Sequence, residues 1–276
     1  MCPSKERNIM SCREQQRLWI FDFDGTISPL VSDRIEAKLD SSCKKLLADL
    51  SVAPSQYTAV LSSRAMDDLA PRLPIPNIFI GSASGLEWQL PGGKKVAAHA
   101  VLHNQLEQKR KELLPKIKSI GSIPGVEIED KNWSITVHIR KASVKTKKFI
   151  DMLMEDWTPV RHLRKFRGHE AIEVQLLSGI DKSYGVRRIC DILHFTPAEG
   201  SIIYSGDDEN DATAMQWVLH LKGIAITVGS PALVPGSRIV DNPRSLSREI
   251  RKLAGLGGTV SNQDAPAYRG RKDESL

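Results

Sequence analysis

The chain has 276 residues, 41% of them hydrophobic and 26% charged, and its 39 Lys and Arg against 33 Asp and Glu leave a net charge of +6. That apolar content excludes a wholly disordered chain, and no apolar run approaches the roughly 18–20 residues that span a bilayer. The basic residues are spread along the sequence, so a site for an anionic small molecule explains the charge better than a nucleic-acid partner does.

Positions 1–16 are polar and read as a flexible leader. They hold no apolar stretch for a signal peptide, so a cytoplasmic location is expected. Cys2, Cys12, Cys43 and Cys190 lie far apart with no Cys-x-x-Cys pair, which argues against a zinc cluster or a disulfide framework. The first apolar run, 18–21, predicts a buried strand that ends in acidic residues. A helix is expected over 32–50, then strands at 57–61 and 77–81. The pattern then changes. A hairpin is predicted over 86–98 around Pro91-Gly92-Gly93, followed by a basic helix over 101–120 that Pro115 interrupts or kinks. Paired strands at 126–129 and 133–140, a helix at 143–157 and strands at 161–166 and 171–177 complete this middle section. Strand–helix alternation resumes with strands at 201–205, 223–228 and 238–240, and 257–276 reads as a disordered tail. The expected fold is α/β: a parallel core over 17–84 and 178–256, with an α+β insertion over 85–177 that caps a cleft.

The strongest chemical signal is Phe21-Asp22-Phe23-Asp24-Gly25-Thr26 at the end of the first strand. Open parallel sheets bind ligands beyond their strands' carboxyl ends, and alternation puts Asp22 and Asp24 on one side of the chain. Two carboxylates there need a cation or a proton to offset their repulsion. One can attack phosphorus, and its neighbour can move the proton. A second acidic string, Gly206-Asp207-Asp208-Glu209-Asn210-Asp211, follows another apolar strand. Its all-oxygen side chains suit a hard cation, Mg²⁺ first, although Asp211 also fits as a helix cap. Ser62-Ser63-Arg64 offers a hydroxyl and a guanidinium for a phosphate, and Lys182 opens a helix where it can neutralise one.

In this order the four strings resemble those of the haloacid dehalogenase superfamily over about residues 20–255. The resemblance implies a Rossmann-like core and Mg²⁺-dependent phosphoryl transfer through an aspartyl-phosphate. It makes Asp22 the nucleophile and Asp24 the acid/base, and Ser62 and Lys182 hold the transferring group. It places the metal among Asp22, Asp24 (by its carbonyl) and Asp207, with Asp208 and Asp211 beside it. The insertion lies where the superfamily's larger C2-type caps lie. Asp22 to Pro29, Gly81 to Glu87, Glu129-Asp130-Lys131 with Ser134 to Arg140, and Gly206 to Asp211 are similar to strings of the trehalose-6-phosphate phosphatase family. Departures from that family fall on the expected cap: Ser84 stands for a usual His, Ile139 for Tyr, His169 for Lys, and Glu173-Val174-Gln175-Leu176 keeps only its Glu. In the acidic string Asn210 stands for a usual Thr, and Ser183 for a usual Gly after Lys182. Arg64, Arg140, His169 and Glu173 are the expected substrate contacts. The implied substrate is a small phosphorylated sugar, trehalose 6-phosphate, with a glycosyltransferase as pathway partner. Glucosylglycerol phosphate, mannosylphosphoglycerate, sucrose phosphate and a non-catalytic sugar-phosphate sensor stay open beside it.

Overall fold

Short apolar strands alternating with amphipathic helices have to bury both faces of the sheet they form. The computed structural model describes residues 15–256 except positions 32, 99, 169 and 230. Most of the expected leader, the expected tail and His169 therefore lie outside the described residues. The chain opens with β1 (Arg17–Phe21), α1 (Ser41–Val52), β2 (Gln56–Leu61), α2 (Met66–Leu69), β3 (Phe79–Ser82), β4 (Glu87–Gln89) and β5 (Lys95–Val96). It continues with α3 (Ala100–Ile120), β6 (Glu127–Asp130), β7 (Ser134–His138), α4 (Val144–Asp156), β8 (Lys165–Gly168) and β9 (Ala171–Gln175). It ends with α5 (Lys182–Leu193), β10 (Ile202–Gly206), α6 (Ala212–His220), β11 (Ile224–Val228), β12 (Arg238–Val240) and α7 (Pro243–Ala254).

The large sheet has eight strands in the order β12-β11-β10-β1-β2-β3-β4-β5. All pairings from β12 to β3 are parallel, and β4 and β5 add antiparallel strands at one edge. β1 shows why the sheet needs cover on both sides. Trp19 and Phe21 join a core with Leu46 and Leu50 of α1 and Leu246 and Ile250 of α7. Leu18 and Ile20 point the other way, into a core with Val186 and Ile189 of α5 and Met215 and Val218 of α6.

A second sheet of four antiparallel strands, β6-β7-β9-β8, carries its own core. Ile135, Val137, Ile172 and Val174 face Leu113 and Ile117 of α3 and Ile150 and Met154 of α4. The intervening positions Ser134, Thr136, His138 and Glu173 are polar and lie on the sheet's opposite face.

Several elements differ from the sequence expectation. The hairpin read as part of the insertion pairs with β3 and extends the large sheet instead. The helix expected from position 32 begins at Ser41, because Asp40 caps it by accepting from Ser42 N and Cys43 N; only a short 3-10 turn, Arg34–Glu36, precedes it. α3 runs through Pro115 as one helix. The strand expected over 161–166 forms at Lys165–Gly168, after turns stabilised by bonds from Val160 N and Arg161 N to the Trp157 carbonyl.

Candidate active site

β1 lies between β10 and β2, with Phe21 opposite Ser205 on one side and Val60 on the other. Because these strands are parallel, the residues that follow each of them leave the sheet on the same edge. Asp22 emerges there with Ser62 from β2 and Asp207 from β10, and Asp22 N is still bonded to the Ser205 carbonyl at 2.9 Å. The chain crosses over in opposite directions on either side of β1, the position where open α/β sheets form a binding crevice.

Asp22 is buried, at 4% exposed, and Lys182 joins it from the start of α5. Asp181 caps that helix by accepting from Ser183 N at 2.8 Å, which fixes Lys182 in its first turn. Lys182 Nζ donates to Asp22 Oδ1 and to Asp211 Oδ1, each at 2.6 Å. Asp211 is fully buried and saturated. Oδ1 also accepts from the Tyr204 hydroxyl at 2.6 Å, and Oδ2 accepts from Asp207 N at 3.1 Å and Asp208 N at 3.2 Å.

Oxygens of Asp22, Asp207 and Asp211 lie within 4.8 Å of one another. Thr26 braces two of them, donating to Asp207 Oδ1 at 3.2 Å and lying 3.5 Å from Asp22 Oδ2. Burial, then repulsion from Asp211 and Asp208, pushes the Asp207 carboxyl up to about 8. Burial also pushes Asp22 well above the usual carboxylate range, against the pull of Lys182. Three carboxyl groups thus gather beside one ammonium, which pairs with Asp22 and Asp211 only, and the negative charge that remains fits a hard divalent cation. With Asp211 saturated, Asp22 and Asp207 are the donors left for it. The structure does not bring Asp208 into this group. Its oxygens accept from Asn210 N at 2.9 Å and Asn210 Nδ2 at 3.1 Å, and it caps the turn Glu209–Asp211.

Asp24 sits on the outer side of the same turn. Arg64 holds it with two hydrogen bonds, Nε to Oδ2 at 2.7 Å and Nη2 to Oδ1 at 2.6 Å. Arg64 is 2% exposed and is anchored in turn by Asp68 at 2.5 Å and the Arg34 carbonyl at 2.8 Å. Arg64, expected to contact substrate, lines the cleft with four of its five N–H donors already engaged within the protein. Ser62, 1% exposed, accepts from Arg64 N through Oγ at 3.2 Å, which leaves its hydroxyl proton to donate elsewhere.

The polar face of the small sheet closes the cleft from the other side. Glu173 stands there as expected, accepting from Ser134 Oγ at 2.6 Å and Lys131 Nζ at 3.1 Å. Burial opposes its charge, but Lys131 and Ser134 outweigh burial and hold its carboxyl below the usual range. Glu129 accepts from His138 Nε2 at 2.9 Å and pairs with Arg34, which reaches up from the other wall. Arg140 does not enter the cleft: its side chain is 45% exposed and lies 3.9 Å from Glu170. Arg34, Thr136, Phe166 and Asn210 line the cleft although the motifs did not single out their side chains as contacts. Among these Asn210 carried a signal, as a departure within the acidic string, and Thr136 lies within the string 134–140.

Among the described residues no helix is long and apolar enough to cross a membrane. Comparison with known proteins agrees with the geometry. The family model for trehalose-phosphatase matches residues 20–245. A trehalose-phosphate phosphatase of Mycobacterium ulcerans is 32% identical over 213 residues, covering 75% of this chain and 53% of that protein. The chain spans about half the length of such curated relatives. Among solved structures, the C-terminal domain of the Candida albicans trehalose-6-phosphate phosphatase superposes with a TM-score of 0.68 at 21% identity, covering 88% of this chain and 94% of that one. A phosphatase of the HAD enzyme superfamily from Bacteroides thetaiotaomicron superposes with a TM-score of 0.56 at 16% identity, covering 91% and 99%. The fold is thus that of HAD-type phosphatases, and the chain belongs to the trehalose-phosphatase family.

Proposed function

We propose that the protein is a Mg²⁺-dependent phosphatase of a sugar phosphate, trehalose 6-phosphate first, acting through an aspartyl-phosphate on Asp22. The convergence of Asp22, Lys182 and Asp207 at one sheet edge carries this reading. In the first step an Asp22 carboxylate oxygen bonds to phosphorus while the bond to the sugar oxygen breaks. Asp24, which must leave Arg64 and take up a proton first, gives that proton to the departing oxygen. In the second step Asp24 takes a proton from water, the water oxygen bonds to phosphorus, and the Asp22–phosphorus bond breaks to release phosphate. Lys182 and the Ser62 hydroxyl hold the transferring group, and Arg64 keeps Asp24 docked until the substrate arrives. Asp22, Asp207 and the carbonyl of Asp24 would hold Mg²⁺, which when bound supplies positive charge to the phosphoryl oxygens and the attacking carboxylate.

The segment from α3 to β9 acts as a cap that closes over the substrate, and its polar sheet face contributes Lys131, His138 and Glu173 to the sugar. Trehalose 6-phosphate leads because the family match and the named relatives point to it. Phosphate release measured over trehalose 6-phosphate, sucrose phosphate, glucosylglycerol phosphate, mannosylphosphoglycerate and p-nitrophenyl phosphate tests the reading. Trehalose 6-phosphate hydrolysed no better than p-nitrophenyl phosphate would overturn the substrate. Undiminished turnover in a folded Asp22→Asn variant would overturn the nucleophile.

A further inference from the structure

Two buried polar atoms in the cleft have no partner among the described residues, the Thr136 hydroxyl and Asn210 Oδ1. Thr136 is 3% exposed and sits at the centre of the small sheet's polar face. Its cross-strand neighbours are Glu129 on β6 and Glu173 on β9, both of which carry acceptor oxygens. Both are engaged elsewhere. Glu173 is held by Ser134 and Lys131, and Glu129 by His138 and Arg34. The hydroxyl is thereby left without a partner in the cleft wall, a buried polar group that a ligand or water would complete.

Asn210 stands on the opposite wall, in the turn that follows β10. Its orientation is fixed: Nδ2 donates to Asp208 Oδ2 at 3.1 Å, and the flipped amide would set oxygen against that carboxylate. Oδ1 is therefore an acceptor, beside Asp208 and on the same wall as Lys182. An acceptor there suits a hydroxyl, and repels the oxygens of the phosphoryl group itself.

We infer that Thr136 and Asn210 are specificity-determining residues that bind sugar hydroxyls from opposite walls of the cleft, Asn210 Oδ1 accepting from one near the phosphate ester and the Thr136 hydroxyl bonding a second. This rests on the phosphatase reading above and adds how a polyhydroxylated leaving group is told from a plain one. A site built to hydrogen-bond a hydroxyl discriminates strongly against esters that lack it.

The test compares kcat/KM for the best-hydrolysed sugar phosphate of the panel with that for p-nitrophenyl phosphate, which has no hydroxyls to offer. Thr136→Val keeps the volume and removes the hydroxyl, Thr136→Ser keeps the hydroxyl and removes the methyl, and Asn210→Ala removes the acceptor. The sugar-to-p-nitrophenyl ratio falls about tenfold or more in Thr136→Val and in Asn210→Ala, and Thr136→Ser restores most of it. Circular dichroism and the melting temperature establish that each variant is folded. An unchanged ratio in folded Thr136→Val and Asn210→Ala overturns the inference alone. A wild-type protein with no preference for any sugar phosphate overturns the phosphatase substrate reading and this inference together.

Discussion

Gly25 packs its α-carbon directly against Asp207: a Cβ at Gly25 would lie 1.9 Å from Asp207 Oδ2. The glycine also has φ of +75°, a left-handed conformation that side chains resist. Two constraints therefore meet in one residue. The turn must reverse after Asp24, and the backbone must come close to Asp207 for its carboxylate to lie beside that of Asp22. Gly25→Ala is expected to separate these carboxylates. Titration calorimetry with Mg²⁺ should show binding weakened at least tenfold, with turnover falling alongside. Wild-type Mg²⁺ affinity in that variant would mean that the close approach is incidental to the site.

Lys182 is the ammonium shared by Asp22 and Asp211, at 2.6 Å from each. Burial pulls its pKa down, but Asp211 and then Asp22 outweigh burial and raise it well above the usual lysine value. Lys182→Met fills the same space without the charge and leaves two buried carboxylates to repel each other. Removing one partner of a buried ion pair costs about 3–5 kcal/mol, so urea unfolding should show a loss of that order together with loss of phosphate release. Full stability with only catalysis lost would show that Asp211 finds its counter-charge elsewhere.

The sequence made the core legible because its constraints are local. Leu18 to Phe21 are apolar at four successive positions and rich in strand formers, as suits a strand covered on both faces, and the acidic residues that follow mark its carboxyl end. The cleft's second wall was harder to read. Arg34 and Glu129 are distant in sequence and meet only through the packing of two sheets, so no spacing rule announces their pairing. Arg140 alternates in step with His138 along the chain, yet β7 ends at His138, and Arg140 turns out toward Glu170 instead of the cleft. Asp208 shows how local bonding hides in a motif: its neighbours in the acidic string converge, while its own oxygens accept from Asn210.

Gly85 and Gly185 mark where α5 meets the segment leading to the edge hairpin. A Cβ on Gly85 would lie 2.2 Å from the Gly185 Cα, and one on Gly185 would lie 2.6 Å from the Ser84 carbonyl oxygen. Arg188 of α5 reinforces this contact by donating to the Leu86 carbonyl at 2.5 Å. Since both obstacles are backbone, neither can yield by a rotamer change. Gly185→Ala should destabilise by about 1–3 kcal/mol as an overpacked site, and Gly85→Ala by more, because its φ of +90° adds conformational strain. Denaturant unfolding of the two variants checks both the size and the order; equal stability of Gly85→Ala and the wild type would show that the contact has room to relax.

Asp68 gives a pH dependence that is separate from the cluster of Asp22, Asp207 and Asp211. Burial raises its pKa, but hydrogen bonds from Arg72 and Arg64 outweigh burial and hold it at about 2, against an ordinary 3.8. A folded pKa below the unfolded one stabilises the protein above the unfolded value, and the stabilisation disappears as pH falls through the folded value. The contribution of Asp68 is therefore complete above about pH 4 and lost by about pH 2. Asp68→Asn should be less stable than the wild type at neutral pH, with the gap shrinking across that acidic window. Chemical denaturation at a series of pH values measures the gap. Because Asp68 anchors Arg64, and Arg64 docks Asp24, the same variant should also lower kcat for the sugar phosphate. A gap that stays constant down to about pH 2 would mean that the arginines hold the asparagine amide as firmly as the carboxylate, and that charge is not what ties Arg64 in place.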